Sequence, residues 1–179
     1  MLKKVIIGLV IAIIVYFAYG VLTTRSHSPL TTVEGNSGEL TVSVDYCQPY
    51  KKGRLIFGNE NDNALVPYGK YWRLGANDAT EITFSQNVNF AGKPVDAGRY
   101  RMYAVPNASN WEISLNSQLG EFGYFEPDYT LDVLKVKIPT RINPNIIEQF
   151  TMTFDSDSTS LFLNMGWDAT MIRIPITKQ

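Results

Sequence analysis

Cysteine and histidine are almost absent from this sequence of 179 residues, which contains one of each. The lone Cys47 excludes an intrachain disulfide, so the domain must be stabilised by its hydrophobic core. We expect Cys47 itself to be a small buried residue of that core. A serine–histidine–aspartate triad needs a histidine, and zinc sites usually take histidine or cysteine ligands. His27 and Cys47 are the whole supply, so we expect neither chemistry, no metal ion and no cofactor.

Two further absences limit the function. The phosphate-binding motifs G-x-x-x-x-G-K-[ST] and G-x-G-x-x-G do not occur. Acidic residues are missing from residues 1–30, which carry Lys3, Lys4 and Arg25. Removing these three from the 16 basic residues leaves 13 against 17 acidic residues, a net charge of −4 for the rest of the chain. This balance lacks the basic footprint of a protein that binds nucleic acid or anionic lipid surfaces.

Apolar residues form one long run without charge, the 18 residues Val5–Leu22. As a helix this run is roughly 27 Å long, close to the thickness of a bilayer core. A cleaved signal peptide is the alternative, because Ala18-Tyr19-Gly20 resembles a cleavage site. The length of the run, and its continuation through Val21, favour a transmembrane anchor within residues 1–22.

The basic residues before this run predict its orientation. Lys3 and Lys4 favour an N-terminus in the cytoplasm, which places the remaining chain outside the inner membrane, in the periplasm. Residues 23–37 are rich in Thr, Ser and Gly and are predicted to be a flexible tether. We expect a single domain over residues 38–179.

Within this domain, short segments alternate apolar and polar residues with the period of a half-buried strand. These segments cover residues 40–46, 82–84, 88–90, 100–104, 111–115, 134–138, 150–154, 161–167 and 172–176. Strands separated by turn residues every 8–12 positions predict an all-β fold, a single antiparallel β-sandwich of Greek-key or jelly-roll type. Pro175 confines the last strand to an edge or a bulge.

The irregular stretch after the first strand carries distinctive motifs: Tyr46-Cys47-Gln48-Pro49, Lys52-Gly53-Arg54-Leu55-Ile56-Phe57-Gly58, and Val66-Pro67-Tyr68-Gly69-Lys70-Tyr71-Trp72-Arg73-Leu74-Gly75-Ala76-Asn77. With Val95–Tyr100 downstream, the chain resembles domain-of-unknown-function family 2911, a family of exported bacterial proteins. The polar insert Asn59–Asn63 departs from that pattern. The resemblance implies an exported all-β domain and no particular activity.

We expect the loop from Pro49 to Thr80 to form the recognition surface. Within it, residues 72–80, with Arg54 upstream, form the best candidate binding site. Arginine binds carboxylate or phosphate through two parallel hydrogen bonds, and tryptophan stacks on sugar rings or apolar groups. The candidates are Arg54, Trp72, Arg73, Asn77 and Thr80, to which Tyr103 is added as a surface aromatic residue. In the competing interpretation Trp72 is core and Arg73 pairs with Asp78 or loop carbonyls.

These residues favour a non-catalytic binding or scaffolding module of the cell envelope, with a glycan, a peptide or a membrane protein as its ligand. The alternative is a small hydrolase of envelope polysaccharide that uses two carboxylates. Candidate carboxylates are Asp78, Glu81, Glu112 and Glu121. Asn59–Asn63 and Asp155–Ser158 are rich in oxygen, as calcium requires, but lack EF-hand spacing and are expected to be turns.

Overall fold

The computed structural model describes residues 2–179, apart from the side chains of Leu2, Lys4, Val5, Val21, Leu22, Thr24 and Arg25. The described chain begins with helix α1 (Leu2–His27). Strands then follow in the order β1 (Leu30–Ser37), β2 (Leu40–Cys47), β3 (Phe57–Gly58), β4 (Val66–Pro67), β5 (Thr80–Phe84), β6 (Val88–Phe90), β7 (Lys93–Val95), β8 (Gly98–Pro106), β9 (Asn110–Asn116), β10 (Asp132–Pro139), β11 (Arg141–Ser156) and β12 (Leu161–Lys178). Short 3-10 turns occupy Glu60–Asp62 and Tyr129–Leu131.

The larger sheet has the strand order β1-β2-β5-β8-β9-β10, and each neighbouring pair is antiparallel. Along β2, buried apolar residues alternate with partly exposed polar ones, in the order Leu40, Thr41, Val42, Ser43, Val44, Asp45 and Tyr46. Successive side chains of a strand point to opposite faces, so this alternation buries one face of the sheet. The prediction of an all-β fold built mostly from antiparallel sheets is confirmed.

The smaller sheet has the order β11-β12-β6-β7, and β3 and β4 form a short parallel pair. The last two strands predicted from the sequence, residues 161–167 and 172–176, form one continuous strand, β12. Between them, Asp168 has a positive φ of 54°. Pro175 lies between Met171, which pairs with β11, and Ile176, which pairs with β6. β12 lies between β11 and β6, so the predicted edge position of this strand is wrong. The sheet tolerates Pro175 because its missing N–H lies outside the stretches of β12 that these ladders cover.

The two main sheets share one hydrophobic core whose centre is aromatic. Trp111 comes from β9 in the larger sheet, whereas Phe150 and Trp167 come from β11 and β12 in the smaller one. Phe57 lies 5.0 Å from Trp111 between ring centroids, and Trp72 lies 4.9 Å from Phe150. Burial of each such side chain stabilises the fold by roughly 1.5–3 kcal/mol. The core therefore ties the irregular stretch that carries Trp72 to both sheets.

The prediction of a flexible tether over residues 23–37 is wrong. Helix α1 continues to His27, and β1 pairs with β2 along its full length, from Leu30 opposite Cys47 to Ser37 opposite Leu40. β1 is an edge strand rich in Thr, Glu and Asn, so it lacks the apolar alternation by which the other strands were recognised. The fold buries Gly35 of β1, and a Cβ atom there would overlap the ring of Phe154.

Helix α1 stands apart from the core. Its described apolar side chains are 48–74% exposed: Ile6, Ile7, Leu9, Val10, Ile11, Ile13, Ile14, Val15, Tyr16, Phe17 and Tyr19. Among the described residues, no helix meets the length and apolarity that a membrane span requires. Val5, Val21 and Leu22, which belong to the predicted transmembrane run, lie outside the residues whose side chains are described.

Candidate functional site

A pocket of about 320 Å³ opens at the C-terminal end of helix α1. We call it the basic pocket, and its walls are formed by His27, Ser28, Pro49, Tyr50, Lys52, Arg54, Leu65, Val66, Trp72, Arg73, Gly75, Ala76 and Trp167. It unites the end of α1, the irregular stretch after β2 and the middle of β12. Three predicted site residues, Arg54, Trp72 and Arg73, are therefore brought together.

The charge of the lining is one-sided. Lys52, Arg54 and Arg73 are cations, His27 adds an imidazole, and no carboxylate belongs to the described lining. The rest of the chain after residue 30 has an excess of acidic residues, so this pocket departs locally from the average charge. Several cations around one concave surface focus a positive potential that attracts anions.

Two indole rings form the apolar side of the basic pocket. Trp72 and Trp167 are stacked, with ring centroids 6.0 Å apart and planes inclined by 18°. The indole N–H of Trp167 donates to the carbonyl of Glu148 at 3.4 Å, which fixes the ring relative to β11. Both tryptophans also belong to the core, so the wall of the pocket is rigid.

Arg73 is half-buried, and its Nε atom is buried without a hydrogen-bond partner. Burial lowers the pKa of the guanidinium, because removal from water disfavours its charged form. In the part of the chain that the structure describes, no carboxylate lies within ion-pair distance of Arg73, and the pair with Asp78 allowed by the sequence is not found. A buried donor without a partner costs about 1–3 kcal/mol, so a bound anion would recover part of that cost.

The loop that carries Arg54 is held by local bonds. Nε of Arg54 donates to the carbonyl of Lys51 at 2.9 Å, and its Nη2 donates to the carbonyl of Tyr50. Lys51 forms an ion pair of 2.6 Å with Asp168 of β12, which ties the loop to the smaller sheet. Lys52 has an exposed side chain, whereas its backbone N–H donates to Oε1 of Glu148 at 2.8 Å.

A strained backbone segment directly follows Arg73. Leu74 and Asn77 have positive φ angles of 56° and 55°, and Gly75 has φ 147°. A Cβ atom at position 75 would lie 2.5 Å from the carbonyl oxygen of Cys47, so only glycine fits where this segment passes the end of β2. Non-glycine residues in the left-handed region cost roughly 1–3 kcal/mol each and persist where surrounding structure holds them.

Asn77 and Thr80, although predicted as binding residues, do not line the basic pocket. Thr80 is fully buried, and its hydroxyl donates to the carbonyl of Leu74 at 2.8 Å. The amide of Asn77 donates to the carbonyl of Ser28 at 3.4 Å. Both side chains therefore stabilise the strained segment. Thr80 binds its residue Leu74, and Asn77 binds Ser28, which directly follows α1.

The prediction of Tyr103 as a surface residue is wrong, since its side chain is 1% exposed. Its hydroxyl donates to Oδ2 of Asp132 at 2.7 Å, and its ring packs against Tyr71 and Tyr129. Arg101 on the same face is also 1% exposed and donates to the hydroxyl of Tyr71 at 2.6 Å. Segments outside the strands cover this polar face, a long-range effect that strand alternation does not reveal.

A second concave surface collects carboxylates. This acidic groove, of about 380 Å³, is lined by Leu30, Asp45, Asp78, Ala79, Glu81, Arg99, Gly120 and Glu121. Arg99 forms ion pairs with both Asp45 and Glu81, and the backbone N–H of Gly120 donates to Glu81 at 3.0 Å. The groove gathers three of the four carboxylates predicted for a hydrolase, whereas Glu112 lines a different surface cavity.

The described residues contain no group of three or more His, Cys, Asp or Glu side chains arranged to hold a metal ion. In the oxygen-rich segments, the side chains make local hydrogen bonds. Asn59 donates to Oδ2 of Asp62 at 3.0 Å, and Oδ1 of Asp157 accepts from the backbone of Thr159 and Ser160. These contacts are those of polar turns.

Tyr50 and Lys52 lie in the predicted recognition loop but were not named as candidates, whereas His27, Ser28 and Trp167 lie outside that loop and were not predicted. Lys52 could have been predicted as a pocket residue, because it lies two positions before Arg54 in the same irregular stretch. Trp167 comes from a strand more than 90 positions after Trp72, and only the folded chain brings the two together.

Residues 28–176 match a protein family described as a protein of unknown function, DUF2911. The match begins directly after α1 ends and covers most of the chain, so the resemblance predicted from the motifs is confirmed. No curated protein and no solved structure matches the chain.

Proposed function

Because the chain belongs to family DUF2911, whose function is unknown, we propose a function from the site itself: a membrane-tethered module of the cell envelope that binds an anionic ligand without catalysis. The observation that carries the proposal is the basic pocket, whose described lining contains Lys52, Arg54, Arg73 and two tryptophans but no carboxylate. Arg73 supports it further, because its buried Nε has no partner within the described residues.

The chemistry of the lining defines the class of ligand. Guanidinium groups bind carboxylates and phosphates through paired hydrogen bonds, and the ammonium of Lys52 adds a point charge. Trp72 and Trp167 provide an apolar wall for a sugar ring or an alkyl group beside the anion. A ligand that combines an anionic group with a ring or chain, such as an acidic envelope glycan, meets both requirements.

The location is also part of the proposal. An 18-residue apolar run in a helix with exposed apolar side chains on every side favours a lipid environment. With Lys3 and Lys4 in the cytoplasm, α1 would cross the inner membrane once and leave the sheets in the periplasm. We further propose that the two antiparallel sheets form one β-sandwich, since their apolar residues belong to a single core.

Thermal unfolding of the full chain in a neutral detergent tests the binding proposal. Inorganic phosphate and a uronic acid are the probes, because a ligand that binds only the folded state raises the unfolding midpoint. We expect a rise that Arg73→Gln abolishes and that Lys137→Gln retains. Lys137 is an exposed cation of β10, at the opposite edge of the larger sheet from β1. Equal midpoints with and without both probes would contradict the proposal.

A second candidate function, a carboxylate-dependent hydrolase, is favoured by one observation, the gathering of Asp78, Glu81 and Glu121 in the acidic groove. General acid catalysis needs a carboxyl group that can reach the substrate, whereas the carboxylate of Glu81 is held in an ion pair with Arg99. Hydrolysis of acidic envelope glycans by the full chain, lost in Glu81→Gln and retained in Arg73→Gln, would favour this enzyme over the binding module.

A further inference from the structure

The basic pocket lies at the helical end of the molecule. His27 is the last residue of α1, Ser28 follows it, and both contribute to the wall of the pocket. A helix anchored in a bilayer would therefore bring the pocket to the level of the lipid headgroups. The ligand nearest to the pocket in that arrangement is a component of the membrane itself.

The rim of the pocket is apolar, although it is exposed. Tyr50 and Leu65 line the pocket with exposed fractions of 38% and 43%, and Leu55 is 46% exposed. The backbone N–H of Leu65 donates to the carbonyl of Leu55 at 2.9 Å, so the two residues lie on neighbouring segments of the chain. Apolar and aromatic side chains beside cations are typical of surfaces that contact the headgroup region of a bilayer.

A second apolar segment lies next to the same site. Gly123 packs so closely on Arg73 that a Cβ atom there would lie 2.7 Å from Cδ of the arginine. Its neighbours Phe122, Tyr124 and Phe125 are 50–69% exposed. The basic pocket is therefore flanked by exposed rings near Arg73 as well as by the rim at Leu65. Soluble surfaces rarely concentrate exposed apolar side chains around a charged pocket without a partner.

We propose that the basic pocket binds the phosphate headgroup of an anionic phospholipid from the bilayer that holds α1. This inference rests on the proposed function and names its ligand. The cations Lys52, Arg54 and Arg73 meet the phosphate, while Tyr50 and Leu65 contact the glycerol and the upper part of the acyl chains. A general attraction to anionic membranes does not explain the site, because the chain after residue 30 carries a net charge of −4.

The experiment uses the full chain in nanodiscs of phosphatidylcholine alone or of phosphatidylcholine mixed with phosphatidylglycerol. Thermal unfolding is followed by the fluorescence of the three tryptophans, all of which lie in the core. We expect phosphatidylglycerol to raise the midpoint by about 3 °C, a typical shift for one occupied site in a chain of this size. Arg73→Gln should abolish the rise and Lys52→Gln should reduce it, whereas Lys137→Gln should retain it.

Lys52→Gln is a pocket variant that should fold as the parent does, because this side chain is exposed and the bond to Glu148 is made by the backbone. A rise that persists in both pocket variants would overturn the proposal, since the lipid would then act elsewhere. No rise with phosphatidylglycerol would also overturn it. In a separate arm, glycerol phosphate is added to phosphatidylcholine nanodiscs. A response to this soluble phosphate alone would keep the anion-binding module and reject the lipid, whereas no response to any anion would reject both.

Discussion

Trp72 and Trp167 stack at 6.0 Å although one belongs to an irregular loop and the other to the longest strand of the smaller sheet. The pair closes the core on one side and forms a wall of the basic pocket on the other. Packing and binding therefore share the same two rings, and a change at either indole would affect both properties. Variants that change binding without changing packing therefore have to be made at the cationic residues of the pocket.

Arg73→Met is the most informative of these substitutions. Methionine keeps much of the length and removes a half-buried charge that has no carboxylate partner in the described part of the chain. We expect the free energy of unfolding to stay within about 1 kcal/mol of the parent value, while phosphate binding is lost. Urea unfolding and a thermal shift with phosphate measure the two effects. A loss above roughly 2 kcal/mol would assign Arg73 a structural role instead.

Gly75→Ala should destabilise the fold strongly. The added Cβ would lie 2.5 Å from the carbonyl oxygen of Cys47, and the φ angle of 147° is unfavourable for alanine. We expect a loss of roughly 2–3 kcal/mol in urea unfolding. Gly92→Ala is the matched control, because Gly92 also has a positive φ but has open space around it. Equal losses in the two variants would show that the contact with Cys47 is unimportant.

Gly35→Ala tests whether β1 is part of the folded domain. The new methyl group would overlap the ring of Phe154, and overpacking of this kind costs about 1–3 kcal/mol. Phe154→Ala removes the ring but keeps Cβ, which the new methyl group would meet at 2.7 Å, so the double variant should recover only part of the cost of the alanine at position 35. A double-mutant cycle by urea unfolding measures this coupling. Strict additivity of the two single effects would argue against contact between β1 and β11.

Tyr103 should make the fold sensitive to alkaline pH. Burial is the main reason why the pKa of its hydroxyl lies above the ordinary value, and Asp132 raises it further. With rising pH, the unfolded chain loses this proton first, near pH 10, so stability is full below that pH and falls above it. Urea unfolding at several alkaline pH values should show a smaller decline in Tyr103→Phe than in the parent. Tyr124→Phe, at a ring that is 69% exposed, should decline as the parent does.

The mass of the protein isolated from membranes tests the anchor. An uncleaved α1 predicts the full mass of 20.1 kDa. A signal peptide would be removed near Ala18-Tyr19-Gly20 and would leave a chain shorter by about 20 residues. The shortened form would reject the anchor and, with it, the proposal of a headgroup ligand held next to α1.

The strands with regular alternation were predictable, because burial of one sheet face imposes a period of two on the sequence. β2 and β9 are of this kind. β1 was missed because an edge strand with one neighbour needs few apolar residues, and β3 and β4 are too short to show any period. Within the basic pocket, Arg54, Trp72 and Arg73 were predicted from the residue types of one stretch. Trp167 and His27 were not, because no local pattern specifies which distant segments fold against that stretch.

The absence of a long tether limits where the domain can act. Ser28 and Pro29 alone separate helix α1 from β1, and two residues span at most about 7 Å. With α1 in the inner membrane, the sheets would stay within a few ångströms of the lipid surface and could not sweep through the periplasm. A partner in the cell wall would have to approach the bilayer, whereas lipids and neighbouring membrane proteins would already be within reach.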